Sequence, residues 1–463
     1  MSENELRQLT ADEIVAYVRR LEGDLAAAQA QLAKLEAELA ARGGPPKTPA
    51  NSSVPPAKGW KRNRPPTGGK RGPPAGHVGR SRQRQAPDVV VACYPTHCGG
   101  CGAALAAADA APHGTSQVVD LPPVQAVVVE ARRYAIRCRA CGTTTRAEYP
   151  AGLEPTRVFG PGVEALLSYL HERHHVSYER LQELCTDWFH LELSEGAIAN
   201  CLQRVAGRLT PQAAAIKEQV RASPTVGADE TSARVNGRTH WQWVFQTPEA
   251  SYHQIVPRRN GAVVEAFQAG TVAGTWVSDL WKPQLNAAAE RHQICLAHQL
   301  RDLQYAIDRE QSAWAQDCQT LFRLAIHRAH QRDAGELWGA AYTAAVRRIE
   351  ADCDRLLATP VPGAEASRLW VRFREHREHL FVFLDDPGVP PTNNGSEQAL
   401  RPSVVHRNVT GGFRSEWGAA AHATYATVLD TARKRGQTAL ATLQAILGPP
   451  VTLLPQLQCS PTR

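Results

Sequence analysis

The chain lacks any run approaching the roughly 18 consecutive apolar residues that a membrane helix needs, and its N-terminus has no signal-peptide core. Both absences argue for a protein that stays in the cytoplasm. Cysteine is scarce: eleven in 463 residues are too few for a secreted disulfide scaffold. Four of them nevertheless fall in two CxxCG units, which in a reducing compartment favours metal over disulfides. Acidic residues are missing altogether from residues 43–87. A chain of this length also outgrows a single hydrophobic core, so two to four folded units are expected.

The acid-free segment holds ten basic residues: Lys47, Lys58, Lys61, Arg62, Arg64, Lys70, Arg71, Arg80, Arg82 and Arg84. The formal net charge is +7, so the remainder is −3 once those ten charges are set aside. The basic excess therefore belongs to one arm. Rich in Pro, Gly and Ser, the arm has too little apolar surface to offset the entropy of ordering, and its prolines keep it extended. It suits a polyanion, because neutralising phosphates releases counterions; a merely solubilising linker is the competing reading. Lys58, Lys61, Arg62, Arg64, Lys70, Arg71 and Arg80 are the arm's candidate DNA contacts.

Ahead of the arm, Ile14, Val18, Leu21, Leu25, Ala28, Leu32, Leu35 and Leu39 repeat at alternating steps of four and three. This heptad seam predicts a coiled coil over residues 1–42 and a homo-oligomer, against a lone amphipathic helix. Residues 88–150 form a small β unit in which Cys98-Gly-Gly-Cys101-Gly and Cys138-Arg-Ala-Cys141-Gly bracket strands at Val124–Val129 and Tyr134–Ile136. Each pair makes a knuckle whose trailing Gly permits the tight turn, and four thiolates would close a structural Zn²⁺ site. A redox dithiol is the rival, though it leaves the duplication unexplained. Residues 151–222 read as helices compatible with helix-turn-helix geometry, capped at Ser177 and Ser194.

From residue 224 the pattern turns to strands. Thr225–Ala228 leads to Asp229, and Ser232–Val235 meets the Asn236-Gly237 turn. Thr239–Thr247 and Ser251–Val256 follow, then a helix and the strand Thr275–Ser278, which delivers Asp279. That order opens a ribonuclease-H-like domain, whose first and fourth strands are neighbours. No repeated strand signal occurs from 286 to 384, which predicts a helical insertion. Glu397 follows it, and Pro402 predicts that the helix starting near Asn394 ends at Arg401. Asp229, Asp279 and Glu397 are thus the candidate ligands of two Mg²⁺ or Mn²⁺ ions, the arrangement that phosphodiester chemistry uses. Asp385 and Asp386 compete for the third position. Arg401, Arg407 and Arg414 are candidate phosphate contacts. Cys295 and His298 stand one helical turn apart, but two ligands alone do not make a metal site, so a packing role is expected.

The segment Asn393-Asn394-Gly-Ser-Glu397-Gln-Ala-Leu-Arg401-Pro402, with Arg407-Asn408 and Gly411-Gly412-Phe-Arg414-Ser415, resembles the acidic C-terminal motif of insertion-sequence-sixty-six family transposases. Lys47-Thr-Pro-Ala-Asn51-Ser52-Ser53 and Pro74-Ala-Gly76-His77-Val-Gly79 resemble that family's arm, and the two CxxC pairs its zinc-binding domain. Cys295-Leu-Ala-His298 looks like its Cys-x-x-His element. The chain departs from the family at Leu280-Trp281-Lys282-Pro283 and at Arg407-Asn408. The resemblance implies a DDE transposase with Asp229, Asp279 and Glu397 as catalytic triad. It would bind double-stranded DNA, both element ends and target, and associate with the nucleoid, with helper proteins of the same element as further partners.

The expected fold class is multidomain α+β. Its parts are a coiled coil (1–42), a basic arm (43–87), a zinc-binding β unit (88–150), a helical domain (151–222), and a ribonuclease-H-like core (223–285 and 386–440) interrupted by a helical insertion (286–385), with a tail at 441–463. The alternative functions are a non-enzymatic or catalytically dead DNA-binding protein and a nuclease without strand transfer.

Overall fold

A computed structural model of the chain describes residues 10, 16–26, 28–29, 31, 48, 51, 83–150, 152–155 and 157–449. They divide into two compact units, one of Lys61–Val127 with Leu184–Glu192, the other of Met1–Trp60, Val128–Glu183 and Leu193–Arg463. In the smaller unit a bridge joins His97 to Ala104, and a 3-10 turn spans Ala107–Asp109. The strand expected at Val124–Val129 does not form. Val124, Val127 and Val128 are exposed, and no strand among the described residues pairs with them.

The larger unit opens with the hairpin β1 (Ala135–Arg137) and β2 (Thr144–Arg146), paired antiparallel. Helix α1 (Pro161–Ser168) continues into a π turn at Tyr169–Arg173 and is followed by α2 (Tyr178–Phe189), whose residues from Leu184 belong to the smaller unit, and by α3 (Glu195–Arg221). Ser194 caps α3, its hydroxyl accepting from the Ala197 N–H at 3.1 Å.

A five-stranded sheet occupies the centre of this unit: β3 (Thr225–Val235), β4 (Arg238–Gln246), β5 (Ser251–Val256), β6 (Ala273–Ser278) and β7 (Ala289–Ile294). Their spatial order is β5-β4-β3-β6-β7. The first three form an antiparallel meander, while β3–β6 and β6–β7 pair in parallel. Asn236 and Gly237 both have positive φ, 48° and 72°, as a twist-compatible two-residue hairpin turn requires. Helix α4 (Gly261–Gln268) links β5 to β6, and its Phe267 ring stacks on Phe245 of β4 at 3.9 Å.

Beyond α5 (Lys282–Leu285) and β7 come α6 (Leu296–Glu310), α7 (Ala313–Asp333), α8 (Gly339–Leu357), α9 (Ala364–Glu375) and α10 (Val382–Asp385). Their core gathers Phe322, Phe373, Phe381 and Phe383. Next are α11 (Asn394–Thr410), α12 (Glu416–Lys434) and α13 (Ala439–Leu447). The edge strand β5 is covered by α12: Thr431 and Thr427 hydroxyls accept from the amides of Ser251 and His253 at 3.1 and 2.9 Å.

Several expectations are corrected. The segment 286–384 is not wholly helical, because β7 completes the sheet; its Ala-Glu-Arg-His-Gln-Ile sequence is too polar to signal a strand, and as an edge strand it leaves Glu290 and Arg291 exposed while burying Gln293 and Ile294. Helix α11 does not stop at Arg401. It runs through Pro402 to Thr410, burying Ser396, Ala399, Leu400, Ser403 and His406 on one face, and this packing outweighs the lost backbone bond. The assigned tail includes the final turns of α13. In the arm, Asn51 is buried and donates its amide to Asp308 of α6 at 2.9 Å. Residues 16–26 are helical, with Val18, Leu21 and Leu25 exposed; Ile14, Leu32, Leu35 and Leu39 lie outside the described residues.

Candidate active site

Strand β3 outruns its parallel neighbour. The β3–β6 register ends at Gly227 opposite Val277, so Asp229 and Asp279 each stand two residues past the last pair, at the same end of adjacent strands. On its other side β3 stays paired, with Asp229 opposite Val244. The gap that opens beside β3 receives the start of α11. There the Asn393 side-chain amide donates to the Ala228 carbonyl at 2.7 Å, and its carbonyl oxygen accepts from the Ser396 hydroxyl at 2.6 Å. Close approach needs a bare backbone. A Cβ on Gly227 would lie 2.6 Å from Gln246 Nε2 and 3.0 Å from Ser396 Oγ.

Glu397 sits in the first turn of α11. Its Oε1 is 3.9 Å from His298 Nε2 and its Oε2 is 4.0 Å from Arg301 Nη2. Oε1 is buried without a hydrogen-bond partner. Asp279 accepts from the Trp281 N–H at 3.0 Å. Burial pushes the Asp229 carboxyl up to about 8, aided by the negative charge of Glu230 and then of Asp279 and Glu397. Three acids from distant parts of the sequence therefore act on one another electrostatically.

The fourth acid, Glu230, was not singled out from the sequence, although its adjacency to Asp229 was visible there. Its side chain is nearly buried, and burial raises its pKa. It is held by Arg259 at 2.8 Å and by the Gln284 amide at 2.9 Å. The Arg259 guanidinium lies over both the Trp241 and Trp281 rings, 4.7 and 4.4 Å from their centroids.

The two cysteine turns repeat one geometry. At the first, Gly102 N–H donates to Cys98 O at 2.9 Å and Cys98 N–H to Ala103 O at 2.8 Å; at the second, Gly142 donates to Cys138 and Cys138 to Thr143 at the same distances. Gly102 and Gly142 have φ of 75° and 76°, which glycine adopts without strain. Amides of Cys101 and Gly100 lower the Cys98 thiol below its ordinary value, and the hydroxyl and amide of Thr143 do so at Cys141. Both turns thus favour thiolate, the form that ligates metal.

The model of the Transposase IS66 family matches residues 156–421, more than half of the chain. The chain belongs to the IS66 family of transposases. A second model, the zinc-finger binding domain of transposase IS66, matches residues 95–142 and spans all four knuckle cysteines. No curated protein matches the chain.

In this IS66-family transposase the other predicted residues are placed as follows. Lys58, Lys61, Arg62, Arg64, Lys70, Arg71 and Arg80 lie outside the described residues. Arg401 and Arg414 are exposed. Arg407 instead turns back on β3, donating to the Ser232 carbonyl and hydroxyl and to the Thr231 hydroxyl. Asp386 pairs with Arg291 at 2.7 Å and accepts from the Gly388 amide, so it is committed to its turn. Among the described residues no helix is long and apolar enough to cross a membrane.

Proposed function

We propose that this chain binds the ends of its mobile element and catalyses DNA strand cleavage followed by transfer of the new 3′-hydroxyl into target DNA. Asp229, Asp279 and Glu397 are its catalytic carboxylates, on a ribonuclease-H-like core. The observation that carries this reading is the β3–β6 register, in which Asp229 and Asp279 each follow the last pair by two residues, while Asn393, at the start of the helix bearing Glu397, bonds to Ala228 of β3. The sheet order β5-β4-β3-β6-β7 supports the fold assignment.

The residues fit a divalent cation pair. Burial, together with the like charges of Glu230, Asp279 and Glu397, raises Asp229 to about 8, and Glu397 Oε1 is buried and unpartnered. Bound Mg²⁺ or Mn²⁺ would activate the attacking oxygen and neutralise charge developing on the leaving one. Asp229, Asp279 and Glu397 would hold the ions, Asp229 as its deprotonated carboxylate. Trp281 N–H orients Asp279, and Asn393 anchors the turn that presents Glu397. Arg401 and Arg414 present exposed cations for DNA phosphate. The knuckle cysteines Cys98, Cys101, Cys138 and Cys141 would serve as ligands of structural Zn²⁺, a reading supported by the repeated turn and its amide donors. The heptad seam makes the chain a homo-oligomer, and the basic arm tracks the DNA backbone.

The test is strand cleavage and joining on element-end DNA with Asp229→Ala, Asp279→Ala and Glu397→Ala. Each should abolish Mg²⁺-dependent cleavage and joining while leaving DNA binding intact. Function untouched by all three substitutions would favour a non-enzymatic DNA-binding protein instead. Supplying pre-cut ends with target DNA distinguishes a transposase, which joins them, from a nuclease, which does not.

A further inference from the structure

We infer that Cys295, His298 and Glu397 form a further site, adjoining the carboxylates and sharing Glu397 with them, for a borderline-soft divalent cation, Zn²⁺ in the first instance. A Cys-x-x-His pair supplies only two ligands, and the fold adds the third. One ligand atom from each of the three residues lies within 4.8 Å of the others. Around a tetrahedral Zn²⁺, ligand atoms stand roughly 3–4 Å apart, given Zn–S and Zn–N bonds of about 2.3 and 2.0 Å. Rotamer adjustments of an ångström or less close the site.

Three observations converge on it. First, Cys295 precedes α6, with the amides of Ala297 and His298 directed at its sulfur and the Asn393 N–H donating to it at 3.1 Å. Burial raises the thiol above its ordinary value, and these donors act against that burial. Second, two polar atoms in the cluster, Glu397 Oε1 and His298 Nδ1, are buried without a hydrogen-bond partner, a situation folded proteins rarely leave without an ion or water. Third, the donor set is mixed. Sulfur and imidazole select Zn²⁺ over Mg²⁺, which takes oxygen ligands. Three protein ligands leave a fourth position open, unlike the closed four-cysteine site. Oε2 of Glu397, which faces Arg301, stays free for other ligands.

The inference requires Glu397 to lie where the structure places it, and does not require Glu397 to be catalytic. The experiment reads metal stoichiometry, so a chain that fails to cut DNA still answers it. Metal-free full-length protein is titrated with Zn²⁺ against a chromophoric chelator, in the presence of excess Mg²⁺. The wild type should bind two equivalents per chain, one at the four knuckle cysteines and one here. Cys295→Ser, His298→Ala and Glu397→Gln should each bind one fewer, whereas Cys98→Ser should lose the other equivalent and keep this one. His298 and Glu397 are each about a quarter exposed, so their variants decide the matter if Cys295→Ser does not fold. A wild type that binds a single equivalent, or His298→Ala and Glu397→Gln variants that bind as many as the wild type, would overturn it.

Discussion

The side-chain amide of Asn393 donates to the main-chain oxygen of Ala228 at 2.7 Å, tying the start of the helix that bears Glu397 to the residue just before Asp229. Both ends of the Asn393 side chain are used, since its carbonyl oxygen accepts from Ser396. In Asn393→Ala, a buried carbonyl and a buried hydroxyl each lose their partner. The expected cost is about 2–3 kcal/mol, read as a lower Tm. If the bond also aims Glu397, the concentration of Mg²⁺ giving half-maximal cleavage should rise at temperatures where the variant remains folded. An unchanged metal requirement would reduce Asn393 to a structural role.

Asp229 gives the metal-free protein a pH-dependent weakness. Its ordinary pKa is 3.8 and the fold raises it to about 8, mainly by burial. Between those values the folded chain keeps a proton that the unfolded chain has lost, so stability falls as pH rises through that window. Asp229→Asn removes the effect. Without divalent metal its Tm should exceed that of the wild type at about pH 8, and the gap should shrink toward pH 4. Mg²⁺ added to the wild type at pH 7 should release close to one proton. A wild type and an Asp229→Asn variant with parallel Tm profiles would contradict this.

Further along α11 the linkage runs the other way. His406 packs against the rings of His171, His175, His422 and Phe413. Burial, then the charge of His422, lowers it to about 3. Burial alone would raise Glu172, but the charge of His422, whose Nδ1 also bonds to it at 2.8 Å, overrides it and brings the carboxyl down to about 2. For both groups the unfolded chain binds the extra proton, His406 between pH 6.5 and about 3 and Glu172 between 4.5 and about 2. Stability should therefore drain away as pH falls from 6.5. Tm measured across that range should flatten in His406→Phe, which keeps a ring in place; an equally steep profile would exclude His406 as a source.

How much of this could be read from the sequence depended on how local the cause was. The Asn236-Gly237 turn, the Ser194 cap and the two knuckle glycines each follow from one or two residues, and they lie where the sequence indicates. Asp229 was expected after a strand, whereas β3 continues past it to Val235; only the shorter partner β6 ends nearby, a fact about a neighbour that the local pattern does not carry. Pro402 marks a helix end locally, and burial on the sheet overrules it. β7 is an edge strand with polar residues, so its alternation is faint. The part of Glu230 and Arg259 is set by packing between Trp241 and Trp281, which lie forty residues apart.

The seam between α11 and β3 depends on the absence of a side chain at Gly227. A methyl there would meet Gln246 Nε2 at 2.6 Å, Ser396 Oγ at 3.0 Å and Asn393 Oδ1 at 3.3 Å. Gln246 is not free to swing aside, because its Oε1 accepts from Lys434 Nζ at 2.6 Å and its side chain also crowds Gly395. Gly227→Ala should thus push α11 outward at a cost of about 1–3 kcal/mol, and cleavage should fall more steeply than Tm because Glu397 moves with the helix. Overpacking differs from a general strand defect in being relieved by removing the obstructing group. In a double-mutant cycle, Gln246→Ala should lower Tm alone yet restore part of the loss when combined with Gly227→Ala, a coupling of about 0.5–1 kcal/mol or more. Strict additivity would mean that the helix never pressed against Gly227 through Gln246.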